Sequence, residues 1–391
     1  MRRPLTGVRV IDFSWVGAGS YATKILADLG AEVIKIESTK KVDGIRLSPP
    51  FADGQSGVNR SGYFADRNTS KRSMLLNLKE PAAVDIALRL IAQAELVCNN
   101  FSAGVMERLG LGYEAVAEVN PRIVYLSMSM NGDSGPERHA RGYGAMMSAI
   151  TGLHHLSGIP GLAPAGTGTN YPDHIPNPGH AAFAMLAALR HSRRTGRGQR
   201  IDMAQTEAML ATLGPELLDW TVNANDRDPL GNSGEGLYWQ DVLPTAGDDD
   251  WIAISTPTPP DWDAMLATLG LPAGISREHG RGDVAAAVAA RGNRELADAL
   301  QAAGIPAAPV LSPPEVIADP QLTHREHWRI LEHPEMGRTL YNGQPFRFAR
   351  HEVQPTTPAP LLGQHTDEIC AQLLGLSPQE IADLRTTDIL S

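Results

Sequence analysis

A single aspartate stands in a proline- and glycine-rich segment that could place a carboxylate for chemistry. Asp173 is the only acidic residue in 161–201, and the segment 170–180 also carries His174 and His180. On residue types alone, aspartate in such a loop is most often a helix N-cap or an Asx-turn. A carboxylate can also act as a covalent nucleophile. A loop histidine can orient a substrate carboxylate, although it is more often structural. These alternatives stay open on the residues alone.

A glycine pattern near the start of the chain suggests a second kind of site. Residues 17–22 (GAGSYA) fit G-x-G-x-x-A between a predicted strand and helix, and Glu37 ends the next predicted strand. In a dinucleotide site such glycines admit the pyrophosphate and the acid binds the ribose. The same residues also build a tight strand-to-helix turn, and short glycine patterns often match by chance. We favour the tight turn and treat a dehydrogenase as the weaker hypothesis.

Composition narrows the class of protein. The chain has 391 residues, 42% of them hydrophobic, which is enough for a sizeable core in two or three domains. Its net charge of −10 is poorly suited to nucleic acid or an anionic membrane. Cys98 and Cys370 form no CxxC or zinc spacing, so we expect no metal. Met1 to Leu5 carry no apolar signal core, and the apolar run 181–189 is too short to span a bilayer. We expect a cytoplasmic enzyme without a membrane or nucleic-acid partner.

Hydrophobic periodicity predicts alternating strands and helices in the first half of the chain. Strands are expected at 8–13, 32–36, 73–78, 96–98 and 123–127, and helices at 21–29, 81–94, 104–109 and 178–191. This alternation predicts an α/β, Rossmann-like large domain with a parallel sheet, spanning 1–210 and completed by 330–391. Residues 225–325 predict a smaller α+β domain. Residues 215–235 and 325–360 are expected to be long irregular connections, the second leading to a terminal helix at 366–374.

Six short segments, spread over nearly the whole chain, together carry a family resemblance. They are residues 4–13 (PLTGVRVIDF), 29–37 (LGAEVIKIE), 68–73 (NTSKRS), 100–110 (NFSAGVMERLG), 195–202 (TGRGQRID) and 360–366 (PLLGQHT). In this order they resemble the class III CoA-transferases, the CaiB/BaiF family that includes formyl-CoA, carnitine and bile-acid CoA-transferases. Each segment is weak alone, but six in the family's order are specific.

The resemblance implies that Asp173 is the catalytic nucleophile, because the family's carboxylate precedes the long helix that ends in a Thr-Gly-x-Gly-Gln block. Attack on an acyl-CoA would give a mixed anhydride, and the released thiolate would then form an aspartyl-CoA thioester. An incoming carboxylic acid would reverse these steps and leave as the new acyl-CoA. Coenzyme A and acyl-CoA are then substrates, and no permanently bound cofactor is expected. The family's glycine loop would fall at Gly231, Gly234 and Gly236, where backbone N–H groups can stabilise oxyanions.

The resemblance also implies a set of coenzyme A contacts. They are Val16, Gly17, Ala18, Lys71, Arg72, Asn100, Phe101, Arg108, Arg141 and Tyr143. Each cation in this set can instead be an ordinary solvated charge, and Phe101 can be ordinary core packing. Ser38 follows Glu37 where some family members have an arginine, so a phosphate contact from that turn is in doubt.

The Asp173 loop is longer than in the formyl-CoA type and resembles the subgroup acting on aromatic or larger dicarboxylic acids. Four rings are candidates for lining a pocket: Tyr143, Tyr171, Tyr238 and Trp239. The loop and the rings favour a branched or aromatic acid over formate or oxalate.

Two alternatives share the expected fold. Racemases of the α-methylacyl-CoA type use a His–Asp pair, and Tyr143-Gly144 stands where they have a His-Asp dipeptide, so one of the two required bases is missing. A non-catalytic CoA-binding subunit is disfavoured because Asp173 is present. Family members form interlocked homodimers and some pair with a homologous second subunit, so the resemblance implies a homodimer or a heteromer acting on small-molecule acyl-CoA and acid.

Overall fold

The computed structural model describes residues 3–391, and Met1 and Arg2 of the N-terminal segment considered above lie outside the described residues. These residues form two compact units. The first contains the chain up to Leu153 together with Thr167–Asn225 and Thr323–Ser391, and the second contains His154–Gly166 and Asp226–Leu322. The short segment before Gly166 is therefore part of the second unit, which the sequence did not indicate. Across residues 3–391, every helix is too short or too polar to cross a membrane.

Eleven strands and eighteen α-helices are formed by the described residues. The strands are β1 (Arg9–Asp12), β2 (Glu32–Glu37), β3 (Arg72–Leu75), β4 (Leu96–Asn99), β5 (Val124–Ser127), β6 (Gln199–Asp202), β7 (Trp239–Pro244), β8 (Trp251–Thr256), β9 (Ala307–Val310), β10 (Trp328–His333) and β11 (Gly337–Asn342). The helices are α1 (Ala18–Asp28), α2 (Gly62–Arg67), α3 (Pro81–Ile91), α4 (Val105–Arg108), α5 (Tyr113–Val119), α6 (Gly144–Ile150), α7 (Leu153–Leu156), α8 (Tyr171–His174), α9 (Pro176–Thr195), α10 (Gln205–Leu210), α11 (Gly214–Asn223), α12 (Pro259–Leu269), α13 (Arg281–Ala289), α14 (Asn293–Ala302), α15 (Pro313–Ile317), α16 (Pro320–His324), α17 (Thr366–Leu374) and α18 (Pro378–Thr386).

The first unit is built on a six-stranded parallel sheet in the order β3-β2-β1-β4-β5-β6. The chain runs from β1 outward to β3, then returns to the other side of β1 and continues to β6. This reversal creates a crevice at the carboxyl ends of β1 and β4, which is where open α/β sheets bind ligands. The predicted α/β, Rossmann-like fold class is confirmed.

Both faces of this sheet are covered by helices. Residues alternate across β1, so Val10 and Ile11 belong to two different buried clusters. Ile11 packs with α3 and the C-terminal helices α17 and α18, whereas Val10 packs with α1 and α9. The central strand β1 therefore buries apolar residues on both of its sides, as expected for a parallel sheet between helices.

The second unit has its own sheet and core. Strands β7, β8 and β9 pair antiparallel in that order, and helices α12 to α14 supply buried residues around Trp262. Tyr238 and Trp239 pack edge-on against the Trp262 ring. An antiparallel sheet with helices fits the predicted α+β character. The domain limits predicted from the sequence stay a prediction.

The prediction of two long irregular connections, at 215–235 and 325–360, is partly wrong. Residues 328–342 form the antiparallel pair β10–β11, with Trp328 opposite Asn342, and residues 214–223 form helix α11. Most positions of the hairpin are half-buried or exposed, and its strands carry charged residues, so it lacks the apolar run by which the other strands were recognised.

Candidate active site

The turn after β1 is held in a strained conformation by buried charges. Val16 has φ of 58°, in the left-handed region that a β-branched residue rarely adopts. Its N–H donates to Asp43 Oδ1 at 3.0 Å, and Asp43 Oδ2 lies 3.0 Å from Lys35 Nζ. Lys35 also donates to the Ser14 carbonyl at 2.6 Å, and both Lys35 and Asp43 are buried. Such strain persists only where the surroundings enforce it, and it is concentrated at functional sites.

Asn100 joins this turn to the loop after β4. Its side-chain oxygen accepts from the Trp15 N–H at 2.8 Å, and its amide donates to the Trp15 carbonyl at 2.7 Å. Phe101 packs edge-on against the Trp15 ring at 5.6 Å, and the Lys41 ammonium lies 5.1 Å from that ring. The structure thus brings Asn100 and Phe101 to the Val16–Ala18 turn, at the crevice between β1 and β4.

Asp173 lies against the same turn. It is 5% exposed, and its Oδ2 accepts the Gly144 N–H at 3.0 Å. A Cβ added to Gly17 would lie 3.0 Å from Asp173 Cβ, and one added to Gly144 would lie 2.7 Å from Asp173 Oδ2. The carboxylate therefore sits between two positions where a side chain would collide with it, so glycine at both places makes room for Asp173.

The electrostatics of Asp173 are those of a buried and nearly unpaired acid. Burial raises the pKa of this carboxyl to about 6, and the hydrogen bond from Gly144 opposes that rise only in part. Within residues 3–391, Asp173 forms no ion pair with a lysine or arginine. At pH 7 the group is ionised but carries little solvation, which suits a carboxylate nucleophile better than a surface cap.

Tyr63 and His174 form a pair beside Asp173. The Tyr63 hydroxyl lies 3.0 Å from His174 Nε2, and His174 Nδ1 lies 3.2 Å from Thr169 Oγ1. Burial, and then the positive charge of Arg67, lower the pKa of His174 to about 4, so its imidazole is neutral at pH 7. Burial, and then the charge of Asp173, raise the pKa of Tyr63, so its phenol stays protonated.

The predicted cations fall into two groups. Arg108 and Arg141 are exposed, as is Tyr143 at 63%; Tyr143 directly precedes Gly144 in the chain and Arg141 lies three residues before it. Lys71, in contrast, is buried, and its ammonium is hydrogen-bonded to Asp12 and to three further oxygens, from Ser20, Thr23 and Asn68.

Arg72 is also occupied, because it pairs with Glu32 at 2.6 Å and Glu368 at 3.1 Å. In this arrangement Lys71 has no donor left for a phosphate. The coenzyme A contacts stay predictions, and the geometry leaves Arg108 and Arg141 as the accessible cations among them.

The acid that follows the glycine pattern at 17–22 is not available to bind the ribose of a dinucleotide. Glu37, the residue expected to bind a ribose, is buried and accepts two hydrogen bonds from Arg46, at 2.8 and 2.7 Å. A Cβ on Gly19 would lie 2.4 Å from Ser14 Cβ, so this glycine permits close packing of the turn. The tight-turn interpretation agrees with these contacts.

Sequence reasoning missed Tyr63, His174's partner Thr169, and the Asp43–Lys35 pair. The Val16–Asp43, Ser14–Lys35 and Tyr63–His174 contacts join residues 21 to 111 positions apart, and Thr169 lies in a loop without periodicity, so no local pattern marks these residues. Of the other predicted residues, His180 Nδ1 donates to the Pro176 carbonyl within its own helix, at 2.8 Å. Gly231, Gly234 and Gly236 lie in the second unit.

Comparisons with known proteins indicate one family over nearly the whole chain. A family described as CoA-transferase family III matches residues 5–366. Human succinyl-CoA:glutarate CoA-transferase is 29% identical, over 99% of this chain and 90% of its own length. The succinate–glutarate CoA-transferase of Agrobacterium fabrum is 30% identical, over 95% of this chain and 96% of its own length. A crystal structure of a CaiB/BaiF family protein from Brucella suis, 25% identical, has a TM-score of 0.86 and covers 95% of this chain and 100% of that chain.

Proposed function

The chain belongs to CoA-transferase family III, and we propose that it moves CoA from an acyl-CoA donor to a free carboxylic acid through covalent intermediates on Asp173. The observation that carries this proposal is the buried Asp173 carboxylate, ionised at pH 7, fixed by one backbone N–H and seated on the Gly17 turn. A structural cap would be expected to face its own helix terminus, whereas the Asp173 side chain accepts from Gly144 on a different helix.

The proposed chemistry divides one exchange into balanced steps. An Asp173 oxygen attacks the thioester carbonyl carbon, the C–S bond breaks, and CoA leaves as the thiolate. The thiolate then attacks Asp173 Cγ and expels the acyl group as a carboxylate, leaving an aspartyl-CoA thioester. The acceptor acid repeats these steps in reverse order. No net oxidation and no co-reactant is needed, because one thioester replaces another.

Burial of Asp173 supports this role in two ways. A pKa of about 6 leaves the carboxylate mostly ionised at pH 7, so the nucleophile is present without a separate base. Removal of water also limits hydrolysis of an anhydride or thioester intermediate. We expect kcat/KM to fall as the pH is lowered through about 6, because protonation removes the nucleophile.

We propose that the acceptor is a short dicarboxylic acid. Both curated relatives carry succinate or succinyl-CoA and glutarate in their names. Two of the rings considered for a bulky aromatic acid, Tyr238 and Trp239, pack against Trp262 in the core of the second unit. The exposed Arg141, three residues before Gly144, is a candidate partner for a second carboxylate.

The decisive experiment follows the covalent adduct by intact-protein mass. After incubation with succinyl-CoA or glutaryl-CoA, the wild-type protein is expected to gain the mass of CoA less one water. Hydroxylamine should release the CoA and leave the much smaller mass increase of an aspartyl hydroxamate. Asp173→Asn should show no adduct, whereas the matched control Asp85→Asn, on the exposed surface of α3, should behave as wild type. Exchange of the substrate α-proton without an adduct would favour the racemase alternative and contradict the proposal.

We further propose that two copies of the chain associate. Helix α11 has no buried residue, and Leu218, Trp220 and Val222 on it are exposed. Phe183 on α9 is 76% exposed. An isolated helix of ten residues is marginal in water, and exposed apolar surface of this kind is typical of a protein interface. We propose that a second copy of this chain covers this surface, and association with a homologous second subunit is the alternative outcome.

Light scattering on purified protein tests the association. We expect the mass of two chains for wild type and of one chain for Trp220→Glu combined with Phe183→Glu. The control Glu118→Lys, exposed on α5, changes charge without touching these residues and should remain dimeric. A monomeric wild-type protein would contradict the homodimer.

A further inference from the structure

The Tyr63 hydroxyl and the Asp173 carboxyl meet at one glycine. The position that a Gly17 Cβ would occupy lies 3.1 Å from Tyr63 Oη and 3.5 Å from Asp173 Cγ. Tyr63 reaches this place from α2, and Asp173 reaches it from α8. The Tyr63 hydroxyl and Asp173 Cγ, the carbon at which the aspartyl anhydride would be attacked, therefore both border the position of the missing Gly17 side chain.

The tautomer of the neutral His174 imidazole determines the direction in which the Tyr63 hydroxyl hydrogen can point. A neutral imidazole has one N–H donor and one acceptor nitrogen. If the Thr169 hydroxyl donates to Nδ1, then Nε2 carries the hydrogen and donates to Tyr63 Oη. The Tyr63 hydroxyl also has a hydrogen bond with the Asn170 side chain. When the Asn170 amide donates as well, the Tyr63 hydrogen is left to point toward the Asp173 carboxyl, as an oxyanion donor must.

Gly144 supplies a first donor on the other side of the carboxyl. Its N–H already contacts Asp173 Oδ2 at 3.0 Å. When thiolate attacks Asp173 Cγ, the carbonyl electrons move to the aspartyl oxygen, and that oxygen becomes an oxyanion. The charge is relieved when the carbonyl reforms and the acyl carboxylate leaves. One backbone donor is thus in place for this intermediate, and a second donor would complete an oxyanion hole.

We propose that Tyr63 is the second donor to this oxyanion, and that His174, held by Thr169, is a positioning residue that orients the Tyr63 hydroxyl. The proton stays on the phenol, so the hydroxyl contributes a hydrogen bond and no proton transfer. The inference rests on the proposed function, because it assigns residues to the step at Asp173 Cγ.

Steady-state kinetics with succinyl-CoA and glutarate test the assignment. Removing one oxyanion-hole donor costs about 100- to 1000-fold in kcat, so Tyr63→Phe is expected to lower kcat by about 100-fold with KM for succinyl-CoA little changed. Tyr113→Phe is the matched control, because Tyr113 is a half-buried tyrosine packed on Tyr125 on the other face of the sheet. It should keep wild-type kcat.

A double-mutant cycle tests the positioning role of His174. His174→Gln should lower kcat by roughly 10-fold, and adding it to Tyr63→Phe should cause no further loss, because His174 acts through Tyr63. Thr169→Val should reproduce part of the His174 effect, and Thr169→Ser, which keeps the hydroxyl, should restore kcat. Thr169 is exposed, so neither variant threatens folding.

The adduct assay separates failure of this inference from failure of the proposed function. If Asp173 is the nucleophile, wild type forms the CoA adduct, and Tyr63→Phe should form the same adduct more slowly. A Tyr63→Phe enzyme with wild-type kcat, or additive losses in the Tyr63 and His174 double variant, would overturn the inference while leaving Asp173 in its role. Absence of any adduct on wild type would overturn both.

Discussion

Replacing Asp173 by asparagine is expected to stabilise the protein at neutral pH while it removes the transfer activity. Burial raises the pKa of the Asp173 carboxyl from 3.8 to about 6. One pKa unit corresponds to about 1.4 kcal/mol, so ionising this carboxyl in the folded protein costs about 3 kcal/mol of folding stability. Asparagine keeps the shape of the side chain and an oxygen for the Gly144 N–H, but it carries no charge to bury.

The sign of the pH dependence follows from proton binding. Between about pH 4 and pH 6 the folded state holds a proton on Asp173 that the unfolded state has lost. The wild-type protein therefore loses stability as the pH rises through this window, and the loss is complete above about pH 7. Asp173→Asn has no such loss. The difference between its free energy of unfolding and that of wild type should therefore grow by roughly 1.5 kcal/mol between pH 5 and pH 7.5.

Urea unfolding at these two pH values, with equal protein concentrations, measures the difference. The difference between the unfolding free energies of the variant and wild type at each pH removes the contribution of all other titrating groups. Asp85→Asn, an exposed substitution on α3, serves as the control and should stay within about 0.5 kcal/mol of wild type at both values. If Asp173→Asn were less stable than wild type at pH 7.5, or if its advantage did not depend on pH, the claim that burial opposes ionisation would be refuted.

Three further predictions concern the surroundings of the nucleophile. Gly144→Ala should lower kcat by at least about 10-fold, because its Cβ would lie 2.7 Å from Asp173 Oδ2 and displace the carboxylate, and steady-state kinetics would show it. Asp43→Asn and Asp28→Asn each break a buried ion pair and should each cost about 3 kcal/mol in urea unfolding. Of these two variants only Asp43→Asn should also lower kcat, since Asp43, unlike Asp28, holds the turn beside Asp173. Arg108→Ala should raise KM for acyl-CoA by about 10-fold with kcat unchanged, and an unchanged KM would exclude Arg108 from the CoA site.

The alternation of strands and helices was predictable because each buried strand of the large sheet is an apolar run. Val10 and Ile11 face opposite sides, yet both are buried, so the segment is recognised by composition and length. The order of the strands was beyond such reasoning, because pairing of β1 with β4 joins residues far apart in the chain. The hairpin β10–β11 was missed because its strands are half exposed and polar.

The place of Asp173 in the candidate site could be predicted from the sequence, but the residues around it could not. Asp173 is marked by its place before a long helix and by the lack of a neighbouring acid in the chain. Lys71 was expected to be a coenzyme A contact or a solvated charge, yet it is buried, and the Asp12 carboxylate compensates its burial. Tyr63 carried no signal, since its significance comes from a contact with His174 across 111 residues.

The buried charges beneath the Val16 turn have a consequence for how this enzyme can change. Asp12 accepts from the Ser14 N–H and pairs with Lys71, and Asp43 accepts from the Val16 N–H and pairs with Lys35. Each acid thus serves the backbone and a cation at once. Losing either partner alone would strand a charge inside the protein. The effect of a substitution in one of these pairs should therefore depend strongly on its partner, so the two residues of a pair change together or not at all. Laboratory evolution toward new carboxylic acid substrates should proceed more readily through the exposed residues around the crevice.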